Sequence, residues 1–269
     1  MKRSISCLVL LYICLLYPLP AAAAQPVDMA ARWAPVICQT DGSDGLAAPQ
    51  NIFTLINYDR DWRLNNNWYN LLFYPLDQAM YYSVVESDTH YFIGYYQYYP
   101  RHAGGGHEHD LTGVLAAVSK TPDGAGRLDM LVTYSNHQWQ KWSGSRVRLE
   151  GRHPVVKIRT ASHEITALGK SRRALPATAL YAAAGGGPAG YRLVPLTQLW
   201  EQRQDIGSGR VFARWGYFDS FNAIKVTAPW LWEYHRLNWL ATPGELIQYF
   251  RGRPVKACQY LSNPYQAGR

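Results

Sequence analysis

Cysteine is scarce in this chain: there are four in 269 residues, and two of them, Cys7 and Cys14, fall in an apolar opening segment. A disulfide-dense small scaffold is therefore excluded. Beyond that opening segment, no run reaches the roughly 18 consecutive apolar residues that a membrane-spanning helix needs, so no transmembrane segment is expected. The familiar hydrolase signatures are missing as well. There is no G-x-S-x-G elbow. Where a zincin requires a second histidine four residues on, His107 is followed by Leu111 and His163 by Ala167. No internal repeat and no nucleic-acid-binding module is visible, which removes nucleic acid from the expected partners.

The opening segment itself is informative. Lys2 and Arg3 precede the apolar run "CLVLLYICLLYPLP", and "AAAA" then offers a small-residue cleavage site between Ala24 and Gln25. This is the pattern of a secretory signal peptide over residues 1–24. It predicts export to the periplasm or the extracellular space, with residues 25–269 as a single β-sandwich-like domain. Only Cys38 and Cys258 then remain. In an oxidising compartment they are expected to form one disulfide, worth about 5 kcal/mol by loop-closure entropy.

What is abundant is aromatic: 20 Tyr and 10 Trp, residues that favour pleated surfaces. "AMYYSVVES" and "HYFIGYYQYYP" are separated only by Asp88–Thr89, which predicts a tight hairpin. In the second run Tyr95 shares parity with Tyr91 and Tyr99, while Tyr96 and Tyr98 face the other way. Aromatic residues on both faces predict a strand buried on both sides. "LTGVLAAVSK", "LDMLVTYS" and "HPVVKIRTASHE" are further strand candidates, and the proline in "YRLVPLTQ" suggests an edge. Short helices are expected in "DMAARWAPVIC", "PLTQLWEQRQD" and "TPGELIQYFRG". The expected fold is mostly β: an antiparallel β-sandwich with a few peripheral helices.

Charge is uneven. Residues 25–140 hold six basic and twelve acidic side chains, whereas residues 141–173 hold nine basic and two acidic. The basic stretch reads either as a solvated strand edge guarded by Lys and Arg or as a surface that attracts anionic lipid or polysaccharide.

The segment with the most chemistry is "GGGHEHDLTG", Gly104–Gly113. A glycine loop leads into a strand on which Asp110, Thr112 and Val114 share one face and Leu111 and Leu115 the other. Such a loop can curl His107 and Asp110 onto one ion, and a mixed imidazole–carboxylate set suits several divalent metals. His163, at the end of "HPVVKIRTASHE", is the best distant partner; His90, Asp88, Asp59 and Asp61 are weaker ones. The bland alternative is that His107 and Asp110 only hydrogen-bond the glycine loop.

"GHEHDLTG" resembles the G-H-R-H-D-W-E heptapeptide of the necrosis-inducing, Nep-like cytolysins and the H-x-x-D-x-E-G segments of related secreted proteins. "YYSVVESDTHYFIGYYQYYPR" resembles the strand pair before that motif, "HPVVKIRTASHE" the later strand whose terminal histidine helps hold the ion, and "APWLWEYH" a tryptophan-rich segment near the C-terminus. The resemblance implies a β-sandwich carrying a divalent cation, Ca or Mg rather than Zn or Mn, with His107, Asp110 and His163 as ligands. His109 would lie behind the ligands. Thr112 stands where the family has glutamate, a weak neutral ligand at best, and Glu108 could replace it only from a bent loop. Leu111 replaces the family's Trp. The function implied is that of a secreted divalent-cation-binding protein engaging membrane lipid head groups or another anionic surface. Two other classes stay open: a metal-dependent ester or phosphoester hydrolase with His109 or Glu108 as general base, and a non-catalytic carbohydrate-binding module.

Overall fold

The computed structural model describes residues 26–40, 49–102, 104–171, 173–176, 179–182, 189–207, 216–219 and 224–266. The expected signal peptide lies outside these residues, as does most of the glycine-rich stretch 181–190. The first half of the described chain contains α1 (Pro26–Trp33), β1 (Val36–Thr40), α2 (Asn67–Asn70), β2 (Ala79–Ser87), β3 (His90–His102), β4 (His107–Ser119), β5 (Arg127–Ser135) and β6 (Gln138–Ser143). There follow β7 (Leu149–Glu150), β8 (His153–Arg159), β9 (Ile165–Ala167), β10 (Leu180–Ala182), β11 (Ala189–Pro195) and α3 (Leu196–Glu201). The last elements are β12 (Tyr217–Asp219), β13 (Lys225–Thr227), β14 (Glu233–Tyr234), β15 (Leu237–Asn238), α4 (Pro243–Phe250) and β16 (Tyr260–Ser262). No helix among the described residues is long and apolar enough to cross a membrane.

The fold is mostly β and sandwich-like. One sheet runs in the order β6-β5-β4-β3-β2-β11-β10-β1-β8-β7, with β16 on β2 and β9 on β8. Pairing is antiparallel from β2 to β6, while β1–β8, β10–β11 and β11–β2 are parallel. The sheet folds back on itself, so that one face of β2–β5 packs against the half containing β1, β8 and β9. That inner core joins Ile93, Tyr95, Tyr99, Val114, Ala116 and Leu131 to Ile37, Val156, Ile158 and Ile165. The opposite face carries Tyr96, Tyr98, Leu111, Leu115 and Val132, covered by Leu196, Leu199, Trp232, Trp239, Leu246 and Phe250. Strands β2–β4 are thus buried on both faces, which is why they read as nearly continuous apolar runs.

Local expectations fare well. Tyr95, Tyr96, Tyr98 and Tyr99 are fully buried and divide between the two cores by parity, with Tyr95 and Tyr99 in one and Tyr96 and Tyr98 in the other. The hairpin turn falls on Asp88–Thr89, and α1, α3 and α4 form where helices were expected. Two expectations need correction. β11 does not lie at an edge but between β10 and β2. Pro195 is its last residue, so its missing N–H falls where the strand gives way to α3. The Cys38–Cys258 disulfide is not formed, and both thiols are free. Cys38 is buried on β1 with Val36, Val155 and Ala179. Cys258 lies beyond α4, its N–H donating to Glu245 Oε1 at 2.9 Å and its sulfur 3.1 Å from Gln248 Nε2. Each sulfur is fixed within its own layer, and proximity to a chain end does not bring the layers together.

Candidate metal centre

The β3–β4 hairpin builds the site. Its register sets Tyr99 opposite Asp110, Arg101 opposite Glu108 and His102 opposite His107. Gly105 permits the tight end: a Cβ there would meet His102 Nδ1 at 2.6 Å and His107 Cδ2 at 2.7 Å. Within the strand, His109 adopts φ 62°, a left-handed conformation uncommon for a residue with a Cβ. Strict alternation would pair His107 with His109 and Glu108 with Asp110. Instead the hairpin turns over at His109. His107 and Asp110 go to the inner side and Glu108 and His109 to the outer side.

On the inner side, His102, Asp110 and His163 each offer one ligand atom, all within 4.8 Å of one another. His163 arrives from the turn after β8 with φ 50°, its ring stacked flat on Tyr99 at 3.6 Å between centroids. Its Nδ1 lies 2.8 Å from Asp110 Oδ2, and its Nε2 lies 3.2 Å from the Gln50 carbonyl oxygen. Asp110 Oδ1 accepts the Leu111 N–H at 2.8 Å. His107 Nδ1 is 3.2 Å from the Glu108 carbonyl oxygen, and its Nε2 is 2.7 Å from His102 Nδ1. His102 Nε2 is buried with no hydrogen-bond partner among the described residues.

These contacts assign the tautomers. A carbonyl can only accept, so His107 carries its proton on Nδ1 and accepts through Nε2 from His102 Nδ1–H. The buried His102 Nε2 is left with a bare lone pair. His163 faces an oxygen acceptor through each ring nitrogen, the Asp110 carboxylate at Nδ1 and the Gln50 carbonyl at Nε2; with Nε2–H on Gln50, a cation between Nδ1 and Asp110 would take the place of the second proton. Two imidazoles oriented by outer carbonyls around one carboxylate are the arrangement that metal-binding histidines use. Burial lowers the affinity of His102 for a proton, and the charges of His163 and His107 lower it further against the pull of Asp110. The neutral, ligating form of His102 is therefore favoured. Burial by itself would raise the Asp110 carboxyl, but the His163 hydrogen bond and the surrounding imidazoles outweigh it and hold the carboxyl below its ordinary range. The residues present fit a divalent cation. A cavity of about 180 Å³ opens beside them, lined by His107, Asp110, Leu111, Asn136, His137 and Lys225 among others.

The outer side is a separate polar cluster. Glu108 Oε1 accepts the Trp68 N–H at 2.7 Å, and Glu108 Oε2 lies 3.8 Å from His109 Nε2. His109 Nδ1 is 2.8 Å from the Tyr98 hydroxyl, which also takes the Asn67 amide at 2.7 Å. Burial pushes the Glu108 carboxyl up to about 7, with Asp59 adding to the rise and the Trp68 and Asn67 N–H groups opposing it. The Arg101 guanidinium stacks over Trp68 at 3.8 Å from the ring centroid.

Of the expected ligand residues, Asp110 and His163 meet at the inner cluster. His107 stands one step back, with His102 in the position expected of it, because the hairpin register places the two imidazoles edge to edge. Glu108 and His109 lie on the other face because of the turnover at His109. Thr112 is fully buried and donates to Gln97 Oε1 at 3.1 Å. The weaker candidates lie elsewhere: His90 pairs with Asp129 at 3.0 Å, Asp59 accepts from Asn70 at 2.7 Å, and Asp61 pairs with Arg63 at 2.7 Å. His102 was missed, although a signal for it existed: "HAGGGH" puts a histidine at each mouth of a glycine hairpin, where cross-strand partners meet.

No protein-family model matches the chain, and no curated protein matches it either. The chain is similar in fold to solved structures of necrosis- and ethylene-inducing proteins, the kind of protein whose heptapeptide its motif resembles. NLPPya in complex with glucosamine is 16% identical, covers 80% of this chain and 88% of its own, and gives a TM-score of 0.43. A structure described as a toxin fold for microbial attack and plant defense is 17% identical over 77% of this chain and 87% of its own, also at 0.43. The non-toxic HaNLP3 is 13% identical over 71% and 88%, at 0.38.

Proposed function

We propose that this protein is an exported cation-binding protein that engages polar head groups at a membrane surface, with His102, Asp110 and His163 holding a divalent ion. The observation that carries the reading is the convergence of His102, Asp110 and His163, whose ligand atoms all lie within 4.8 Å of one another, with the Gln50 carbonyl beside His163 and the Glu108 carbonyl, through His107, orienting His102. Two nitrogens and one carboxylate favour a borderline ion such as Mn or Zn over the all-oxygen shells of Ca and Mg. This shifts the preference away from the ions the motif resemblance implied. When bound, the ion would supply a fixed positive charge able to take the oxygens of a head group. His107 orients His102, and Asn136, His137 and Lys225 line the adjoining cavity where a small polar group would sit.

A second feature favours a membrane over a soluble target. Helix α2 and the turn after it expose Tyr69 (63%), Leu72 (75%) and Phe73 (78%), and the helix is tied to the motif through the Trp68–Glu108 bond. Large exposed apolar side chains rimmed by polar groups mark an interaction surface. Tyr beside Leu and Phe suits the water–lipid boundary. No comparable observation favours hydrolysis, since Glu108 and His109 point away from the ligand cluster.

The test is metal content and affinity of the exported protein and of Asp110→Ala, followed by binding to vesicles displaying glucosamine head groups, with and without chelator. The expected result is stoichiometric divalent metal, lost in Asp110→Ala, with vesicle binding lost on chelation. A wild-type protein that binds no divalent ion would sink the reading.

A further inference from the structure

A second cleft lies away from the candidate metal centre and has no part in the reading above. Its volume is about 820 Å³, within the range of small-molecule sites. It is lined by the start of β5 and by the segment from Ser143 to Arg152, with Lys170 and Ser171 opposite. The metal centre sits where β4 begins, at His107, and this cleft where β4 has ended and β5 begins. A strand of 13 residues separates them by roughly 40 Å at about 3.3 Å per residue.

The walls are basic. Arg127, Arg148, Arg152 and Lys170 line the cleft, against only Asp129 and Glu150. Both carboxylates are already taken. Glu150 is held by Arg148 at 2.6 Å, and Asp129 by Arg251 at 2.9 Å and His90 at 3.0 Å. Arg127 reaches Asp129 only at 3.5 Å, and Arg152 and Lys170 form no salt bridge among the described residues. Arg152 and Lys170 are exposed, so their charge is available to a ligand.

The lining is also more than a charged patch. Trp33 lines the cleft and is 2% exposed. Ser143, Ser145 and Ser171 add hydroxyls. We propose that this cleft binds an acidic oligosaccharide, its carboxylates on Arg152, Lys170 and Arg127 and its hydroxyls on the serines. A free inorganic anion would use the charges but leave most of the volume unfilled. A lipid surface would need apolar side chains at the rim, where Leu149 is the one large exposed apolar residue among the described lining residues.

The experiment is calorimetric titration of the exported protein with a short oligouronide, a neutral oligosaccharide of equal length, and inorganic sulfate. Each titration is run with and without chelator, because uronates also bind divalent ions. The oligouronide should bind in chelator, the neutral sugar should not, and sulfate should bind far more weakly. Arg152→Glu with Lys170→Glu should weaken oligouronide binding about tenfold or more, while Asp110→Ala should leave it unchanged. Unfolding curves check that the charge-reversed protein is folded, and Arg152→Gln with Lys170→Gln provides a milder pair that should weaken binding in the same direction. Equal binding of the neutral sugar, indifference to both double variants, or no binding at all would overturn the cleft. Binding lost on chelation or in Asp110→Ala would move the sugar to the metal centre and overturn it as well.

Discussion

Glu108 sets up a pH dependence whose sign can be worked out from the outer polar cluster. Its carboxyl is pushed from an ordinary 4.5 up to about 7, chiefly by burial. A raised folded-state value means that the native state holds its proton longer than the unfolded chain. The stability this contributes is fully present below about 4.5 and is lost as pH rises through about 7. The shift corresponds to at most about 3 kcal/mol, and screening by nearby polar groups and water reduces the usable figure to about 1–2 kcal/mol. Glu108→Gln keeps an oxygen to accept the Trp68 N–H but cannot ionise. The variant should therefore match wild type near about pH 5 and exceed it by about 1–2 kcal/mol above about pH 8. Urea denaturation across this range, run in chelator so that ion binding does not contribute, reads the difference directly. A difference between the two proteins that does not change with pH would show that the Glu108 carboxyl is not raised by folding, and one in which the variant loses ground as pH rises would show that the charged form is favoured; either would refute the reasoning.

Further outcomes follow from other parts of the structure. His102→Ala should abolish stoichiometric metal binding, whereas His107→Ala should weaken it about 10–100-fold by releasing the His102 ring; equilibrium dialysis separates the two, and equal affinities would contradict the assigned roles. Gly113→Ala would place a Cβ 2.4 Å from Trp232 Cζ3 and should cost about 1–3 kcal/mol by overpacking, measured as a lowered unfolding midpoint. Tyr96→Phe removes a hydroxyl bonded to Ser83 and to the Trp239 N–H and should cost about 1–3 kcal/mol. Tyr99→Phe removes a buried hydroxyl with no partner and should be neutral or stabilising, so equal costs for the two would refute the contrast.

How much of this was legible in the sequence depends on how local the signal was. Strand parity in "YFIGYYQYY" was enough to place Tyr95 and Tyr99 against one core and Tyr96 and Tyr98 against another, because alternation is fixed by the backbone itself. The turn at Asp88–Thr89 and the helices opening at Pro26, Leu196 and Pro243 carried equally local marks. The parallel pairing of β1 with β8 did not, since it joins segments more than a hundred residues apart and depends on how the sheet folds over. The disulfide failed for the same reason: two cysteines near the chain ends say nothing about which layers those ends join.

The metal centre shows where parity stops being a guide. Alternation predicts that Glu108 and Asp110 share a face, and a carboxylate pair on one face would have suited an oxygen-rich Ca or Mg site. A single left-handed residue, His109 at φ 62°, turns the strand over between them and sends Glu108 to Trp68 instead. The inner site then has one carboxylate where alternation predicts two, and a second imidazole comes from His102 across the hairpin. Donor chemistry changes from oxygen-rich to nitrogen-rich without any change in the motif's spelling. The conformation of one histidine therefore decides both which donors gather on the inner side and why a buried glutamate with a raised pKa lies behind them.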